Sequence, residues 1–453
     1  MQGRFRSQWE NVSNSLWFVP GLCIVALTCL ALVVPELDRR IHARFLFPGD
    51  AGAARAVLQV VAGSLITVIS LVFSITILVL QQASQQYTPR LIGNFMGFRG
   101  VQIVLGVFLG TFLYSLLTLR FLQESTDDAP EYVPEISVVG VMLLATICIC
   151  LLVYFIHHTA VSIEVPAVAR RITSQVHAAI GDDYPRHGKP LAGNDDLASF
   201  KARHQASIPV VIRADTSGFV RWIDEERVIN AVGGAQWIAI LIQVGTYVHP
   251  GSLLAEIGGV EGLDGERVKK LRDAIALDIE RSLHQDPLFG IRQLVDIALR
   301  ALSPSLNDPT TAEHALSQLA DLLIALGRQP YTSRMRVVDT GHGGQLELWA
   351  ARVLFADYVD TAFSQIRRMA YDKPHVTTHL LSVIEAVGRN MHEPRTLEPL
   401  RCQIHEVLDA LATSNLRPTD REAVLKHAQH VLHSMESAHD AVAGSTTATL
   451  EQS

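Results

Sequence analysis

The run VLQVVAGSLITVISLVFSITILVL, Val57 to Leu80, continues as QQASQQYTPRL to Leu91 and decides how the rest of the chain is read. Its 24 residues carry no charge. At about 1.5 Å rise per residue, a helix of that length crosses a hydrocarbon core of roughly 30 Å. The run therefore reads as a membrane span.

Its small and polar residues are not scattered. At about 100° per residue, Gln59, Gly63, Thr67, Ser70, Ser74, Gln81 and Gln85 fall within roughly 40° of one line, interrupted by Ile77 and Leu78. Lipid offers no hydrogen-bond partners, so such a stripe faces other helices or water. Two readings follow, a helix-packing seam or the lining of a permeation path.

Working outward, three more apolar runs lie in the first third of the chain: Ser15 to Val34, Val101 to Leu119 and Ile136 to Ile156. Trp9 and Trp17 stand where interfacial aromatics belong. The first run is longer than a signal-peptide core and ends in Pro35-Glu36 without a small-residue cleavage site, so it reads as a retained span. Gly106 and Gly110 make a small-xxx-small pair suited to close helix packing. Four spans put both termini on one side. Arg4, Arg6, Arg90, Arg99, Arg170 and Arg171 favour the cytoplasm for that side, with the acidic Gln123 to Glu135 connection outside; Arg39, Arg40, Arg44 and Arg55 vote the other way.

The chain has 453 residues, 49% of them hydrophobic and 18% charged, with a net charge of −7. No run of Lys or Arg is long enough to track a phosphate backbone, which argues against nucleic acid. Four of the five cysteines lie inside apolar spans and Cys402 stands alone. Neither a disulfide framework nor a zinc site is suggested, and no other cofactor motif appears. His157-His158 at the end of the fourth span read as wetted interfacial residues.

The expected fold class is an α-helical transmembrane domain of four spans followed by a soluble α+β domain. The division runs as residues 1–160 in the membrane, 161–203 as linker helix and loop, 204–260 as a small β domain, 265–437 as a mainly helical domain, and 438–453 as a disordered tail. About 40 residues of the β stretch, with Gly245 to Ile257 as its last part, resemble the hammerhead of barrel-sandwich hybrid domains, which implies a small barrel or sandwich. No lysine stands at a tip where biotin or lipoate could be attached. Gly341-His342-Gly343-Gly344 reads as a hairpin loop.

The densest polar constellation in the soluble half runs from Phe289 to His314. Arg292, Asp296 and Arg300 stand four apart and share a helix face, open to solvent, to a neighbouring subunit or to an anionic ligand. Asn307, Asp308, Pro309 and Thr310 form a turn entering a helix, with Asp308 or Thr310 as N-cap. Capping explains them; a helix start near two arginines also attracts an anion, with Thr311 and His314 in reach.

Several of these pieces are similar to a family of predicted bacterial membrane proteins catalogued as domain of unknown function 2254. They are Phe73-Ser74-Ile75-Thr76 with Gln81, Ser84, Gln85 and Tyr87-Thr88-Pro89-Arg90; Phe112 to Tyr114; Phe155-Ile156-His157-His158 with Ser162-Ile163; and Phe289 to His314. The resemblance implies an integral protein of the bacterial inner membrane and supplies no activity. With no nucleophile and base in evidence, the expectation is a homo-oligomeric channel or transport protein. In it the striped helix lines the path, Ile77 and Leu78 form a dewetting constriction, and the soluble part makes a cytoplasmic vestibule or gate. The rivals are a membrane-anchored sensor or scaffold that binds an anionic ligand or protein through the Arg292 to His314 region, and an enzyme acting through Asp296, Asp308 and His314.

Overall fold

The computed structural model describes the chain apart from residues 1–16, 42–46, 87–98, 124–131, 163, 183–188, 192–194, 206–207, 261, 330–332, 341–343, 392 and 451–453. Tyr87-Thr88-Pro89-Arg90, most of the acidic connection and the tip of the expected 341–344 hairpin lie outside the described residues. The chain divides into two compact units, Met1–Ala167 and Val168–Ser453.

The first unit holds four helices long and apolar enough to cross a membrane: α1 (Phe18–Ile41), α2 (Ala51–Gln86), α3 (Arg99–Leu119) and α4 (Glu135–Ser162). Helices α2, α3 and α4 cover the runs Val57 to Leu80, Val101 to Leu119 and Ile136 to Ile156, and α1 covers the first run from Phe18 onward. Helix α3 sits among the other three, packing against α1, α2 and α4. The Gly106 and Gly110 pair explains its intimacy with α1. A Cβ at Gly106 would come within 2.9 Å of Pro20 and Cys23, and one at Gly110 within 3.3 Å of the Cys23 carbonyl. Thr111, Ser115 and Thr118 of α3 are buried, and the Ser115 and Thr118 hydroxyls donate to carbonyls one turn back, at 2.9 and 2.8 Å. That back-bonding lets polar side chains sit in an apolar interior.

The second unit is α+β. Helix α5 (Val165–Asp182) spans the division at Val168, and β1 (Lys189–Pro190) and α6 (Leu197–Arg203) come next. There follow β2 (Val210–Arg213), β3 (Gly218–Ile223), α7 (Glu225–Ala231), β4 (Trp237–Ile240), β5 (Tyr247–Val248), β6 (Leu253–Gly258), α8 (Gly265–Asp273) and β7 (Ile275–Asp278). Further on, β8 (Met335–Asp339) and β9 (Gln345–Ala350) interrupt the helices. The described strands form two sheets, β1-β8-β9-β4-β6-β2 and β5-β3-β7, and no closed barrel. The hammerhead likeness is thus local. Strand β4 pairs in parallel with β9, Ile238 opposite Leu348, so the short β interlude inside the expected helical domain belongs to the main sheet. Both sheets contribute to one apolar core, with Val220 and Val248 from one and Ile238, Ile257 and Leu348 from the other.

The remaining helices are α9 (Pro287–Ala301), α10 (Pro309–Gly327), α11 (Phe355–Ala370), α12 (Pro374–Gly388), α13 (Pro394–Ala412) and α14 (Pro418–Leu450). The last runs past residue 437, the boundary expected from the sequence. Proline at the first helical position of α9, α10, α12 and α13 starts each where its missing N–H costs nothing. The helices form three hairpins, α9/α10, α11/α12 and α13/α14. First helices stack on first helices (α9, α11, α13) and second on second (α10, α12, α14), the arrangement of a short helical-repeat array. A sequence echo supports it: Pro309, His314, Leu316 and Ser317 on α10 match Pro374, His379, Leu381 and Ser382 on α12.

Candidate functional site

Helix α2 packs one narrow apolar face inward, while Val60, Ile66, Leu71 and Phe73 are exposed beside the polar stripe. Ala54, Leu58, Ala62, Leu65 and Val72 are buried, at the spacing of one helix face. The stripe therefore points away from the chain's own helices: Gln59, Gly63, Thr67, Ser70, Ser74 and Gln81 are all exposed on the unit. Ile77 and Leu78, which interrupt it, are 42% and 59% exposed. The side chain of Gln85 lies outside the described residues. Only 11% of the α2 span is buried within the chain, against 44% for α3.

The stripe's hydroxyls are satisfied locally. Ser70 and Ser74 donate to the carbonyls of Ile66 and Ser70 at 2.9 and 2.8 Å, and Thr67 to Gly63 at 3.4 Å. With its proton spent, each hydroxyl presents only lone pairs outward. Gln59 and Gln81 are separated by about 33 Å along the axis at the helical rise, close to the hydrocarbon thickness. Gly63, Thr67, Ser70 and Ser74 lie between them along the helix.

The second constellation is split by the fold. Helix α9 is buried almost all round, including Gln293 and Asp296, because α10 and α11 both pack on it. Arg292 Nε lies 3.6 Å from Asp296 Oδ1, and its guanidinium reaches Gln365 of α11 once that amide is turned to accept, at 3.1 and 3.2 Å. Arg300 and the turn from Pro304 to Thr310 are exposed. Asn307 takes a left-handed backbone, φ 45°, and Asp308 caps α10 by accepting from the Thr311 N–H at 3.1 Å and its hydroxyl at 2.6 Å. Those two bonds from Thr311, side chain first, hold the Asp308 carboxyl below its usual range. His314 lies one turn further on, its Nε2 buried.

His314 belongs to the repeat. Its counterpart His379 meets Ser317 of α10 at 3.1 Å, and His427 of α14 meets Ser382 of α12 at 2.9 Å. Ser317 and Ser382 also donate to carbonyls of their own helices, so each hydroxyl ties its own helix to a histidine of the next. Sequence reasoning missed this pairing, although the recurrence of Pro, His and Ser at equal offsets announces it.

Also missed was a charge cluster in the β region. Glu225, in the first turn of α7, accepts from Arg336 Nη2 at 3.1 Å through both oxygens and from Arg352 Nη2 at 2.8 Å. Burial pushes the Glu225 carboxyl up, and the two arginines pull it further down, leaving it below its ordinary value. Burial lowers Arg336 in turn. These three residues are far apart in the chain, and no local spacing signals them. Among the described residues, no group of His, Cys, Asp and Glu side chains is placed to hold a metal ion.

A match to the predicted membrane protein family DUF2254 spans residues 13–386. The chain belongs to this family. It is 31% identical over 436 residues to uncharacterized proteins of Mycobacterium bovis and Mycobacterium tuberculosis, covering 94% of this chain and 81% of theirs. No solved structure matches it. Family membership and the four apolar helices together make this a membrane protein in a lipid bilayer. The third hairpin, α13/α14, lies beyond the family match.

Proposed function

We propose that this DUF2254 protein is a homo-oligomeric channel or transport protein of the bacterial inner membrane, with α2 lining the path and the soluble unit in the cytoplasm. One observation carries the reading: α2 packs Ala54, Leu58, Ala62, Leu65 and Val72 against its own unit and leaves Gln59, Gly63, Thr67, Ser70, Ser74 and Gln81 exposed. Lipid offers these polar groups no hydrogen-bond partners, whereas Val60, Ile66, Leu71 and Phe73, exposed beside them, suit it. Neighbouring copies of α2 around a common axis give the stripe a place to go, either water or a closely packed partner. Small residues at 63, 67, 70 and 74 permit that approach, and the outward lone pairs line it with acceptors. Ile77 and Leu78 form an apolar ring toward one end, where a narrow path dewets and closes.

The test is flux in liposomes containing the full chain, together with the mass of the protein in detergent. Ser74→Leu and Gln81→Leu are expected to reduce flux, Ile77→Ser with Leu78→Ser to raise it, and the mass to correspond to several copies. A monomer, or flux unchanged by all of these substitutions, refutes the proposal.

A further inference from the structure

The charge cluster of the β region holds more positive charge than its carboxylate uses. Arg334 and Arg336 stand two residues apart where the chain enters β8, and the Arg334 carbonyl already accepts from the Ala350 N–H at 3.0 Å, so both lie on one face of the ladder with β9. Arg352 follows the end of β9, and its carbonyl accepts from Arg334 Nη2 at 2.7 Å. Three arginines thus meet near the first turn of α7, where Glu225 supplies one negative charge to Arg336 and Arg352.

Their partners are unevenly shared. Arg336 is the deepest of the three and is matched by Glu225. Arg352 gives Glu225 one bond, and its Nε is buried with no hydrogen-bond partner. Arg334 pairs with no carboxylate among the described residues; its Nη2 goes to a carbonyl, and its Nε too is buried and unmatched. Other acids nearby are engaged elsewhere. Asp195 accepts from the Ser333 hydroxyl and from the Arg334 and Met335 N–H groups, Asp224 from Arg227, and Glu347 of β9 lies 3.2 Å from His204. Two positive charges are left over, at a place where the side chains of Arg352 and Glu225 are still 20% and 26% exposed. An Arg–Glu–Arg triad suffices to tie α7 to the sheet; Arg334 adds charge without adding to that tie, and half-buried charge without a counter-charge is costly.

We propose that Arg334, Arg336 and Arg352 form a binding site for a phosphoryl group: Arg334 and Arg352 contact it, and Arg336, held in place by Glu225, supplies charge from below. The planar N–H forks of guanidinium groups match the oxygens of a phosphoryl group, and its double charge equals the excess. A dissolved phosphate and the headgroup of an anionic lipid share that chemistry. The site does not rest on the channel reading, since every residue in it lies in the second unit.

The experiment is calorimetric titration of inorganic phosphate into the full chain in phosphatidylcholine nanodiscs, at an ionic strength held constant with chloride. Phosphate is expected to bind. Arg334→Gln is expected to weaken it about tenfold, the loss of one charged hydrogen bond, and Arg352→Gln to weaken it similarly. Arg389→Gln, which removes an exposed arginine of α12, is expected to leave binding unchanged. Without phosphate, Arg334→Gln is expected to melt within about 2 °C of wild type, because it breaks no ion pair; a structural role predicts a larger fall. In a second arm, phosphatidylglycerol replaces part of the phosphatidylcholine and melting temperature is read.

Phosphate binding that depends on Arg334 supports a dissolved ligand. Stabilisation by phosphatidylglycerol that Arg334→Gln abolishes, with no heat from phosphate, supports a lipid headgroup at the same site. Neither effect, or effects of equal size in wild type and Arg334→Gln, overturns the proposal. Arg352→Gln is read in place of Arg334→Gln should the latter fail to fold, since it leaves Arg336 paired with Glu225.

Discussion

Replacing Glu225 by Gln keeps its shape and removes the charge that two arginines share. Arg336 is the critical partner because its side chain is 2% exposed, whereas that of Glu225 is 26% exposed. Breaking a buried ion pair from one side costs about 3–5 kcal/mol, since the remaining charge cannot return to water. Partial exposure of Glu225 and the hydrogen-bonding capacity of Gln argue for the lower end, about 3 kcal/mol. For a unit of this size, roughly 2–4 °C of melting temperature per kcal/mol gives a fall of about 6–12 °C. The assay is thermal unfolding of the full chain in detergent, followed by tryptophan fluorescence, since Trp222, Trp237 and Trp349 all lie in the β region.

The pH dependence provides the sharper check. The Glu225 carboxyl is depressed below its ordinary value of 4.5, so its stabilisation is complete above that value and is lost as pH falls through the depressed one. The gap between wild type and Glu225→Gln should therefore close on acidification below about pH 4.5. Glu225→Leu with Arg336→Met, which leaves no buried charge of this pair, should recover much of the loss. A fall under about 2 °C at neutral pH, or a gap that widens with acid, refutes the reasoning.

Gly258→Ala sets a Cβ 2.1 Å from Nε1 of the buried Trp237 ring, and overpacking of a rigid indole should cost about 1–3 kcal/mol, read as a lower denaturant midpoint with altered fluorescence. Asp308→Ala removes the α10 cap and should cost about 1 kcal/mol by the same denaturation, with Asp308→Asn nearly neutral. Asp286 behaves oppositely to Glu225: burial raises its carboxyl despite Arg281 and the Phe289 N–H, so its contribution is full below the ordinary value of 3.8 and fades as pH rises through the raised one. Asp286→Asn keeps a capping oxygen and should flatten that part of the stability–pH profile, measured by melting temperature across pH.

Much of the fold was legible because its causes are local. Long uncharged runs find the spans, since any helix of that length in water would expose too much apolar surface. Proline after Asp286 or Asp308 finds helix starts, since cap and missing N–H act within one turn. The stripe on α2 was legible for the same reason, because helical periodicity places its residues on one line. Whether that line faced inward or outward was not, since burial depends on which helices come to cover it. Only the packing of α1, α3 and α4 shows that the chain itself leaves the stripe open.

The Arg292, Asp296 and Arg300 series illustrates the reverse. Its members stand on one helix, but two of them are drawn into the packing of α9 by the neighbouring helices, Arg292 toward Gln365 of a helix more than sixty residues on. The Glu225 cluster joins α7 to β8 and the end of β9. The pairing of β4 with β9 crosses the boundary between the expected β and helical domains. Sequence alone determined which segments span, bend and start helices, because those follow from forces acting within a turn or a run. Tertiary structure decided which polar groups are left facing outward and which are used up inside, because that depends on partners brought together from distant parts of the chain.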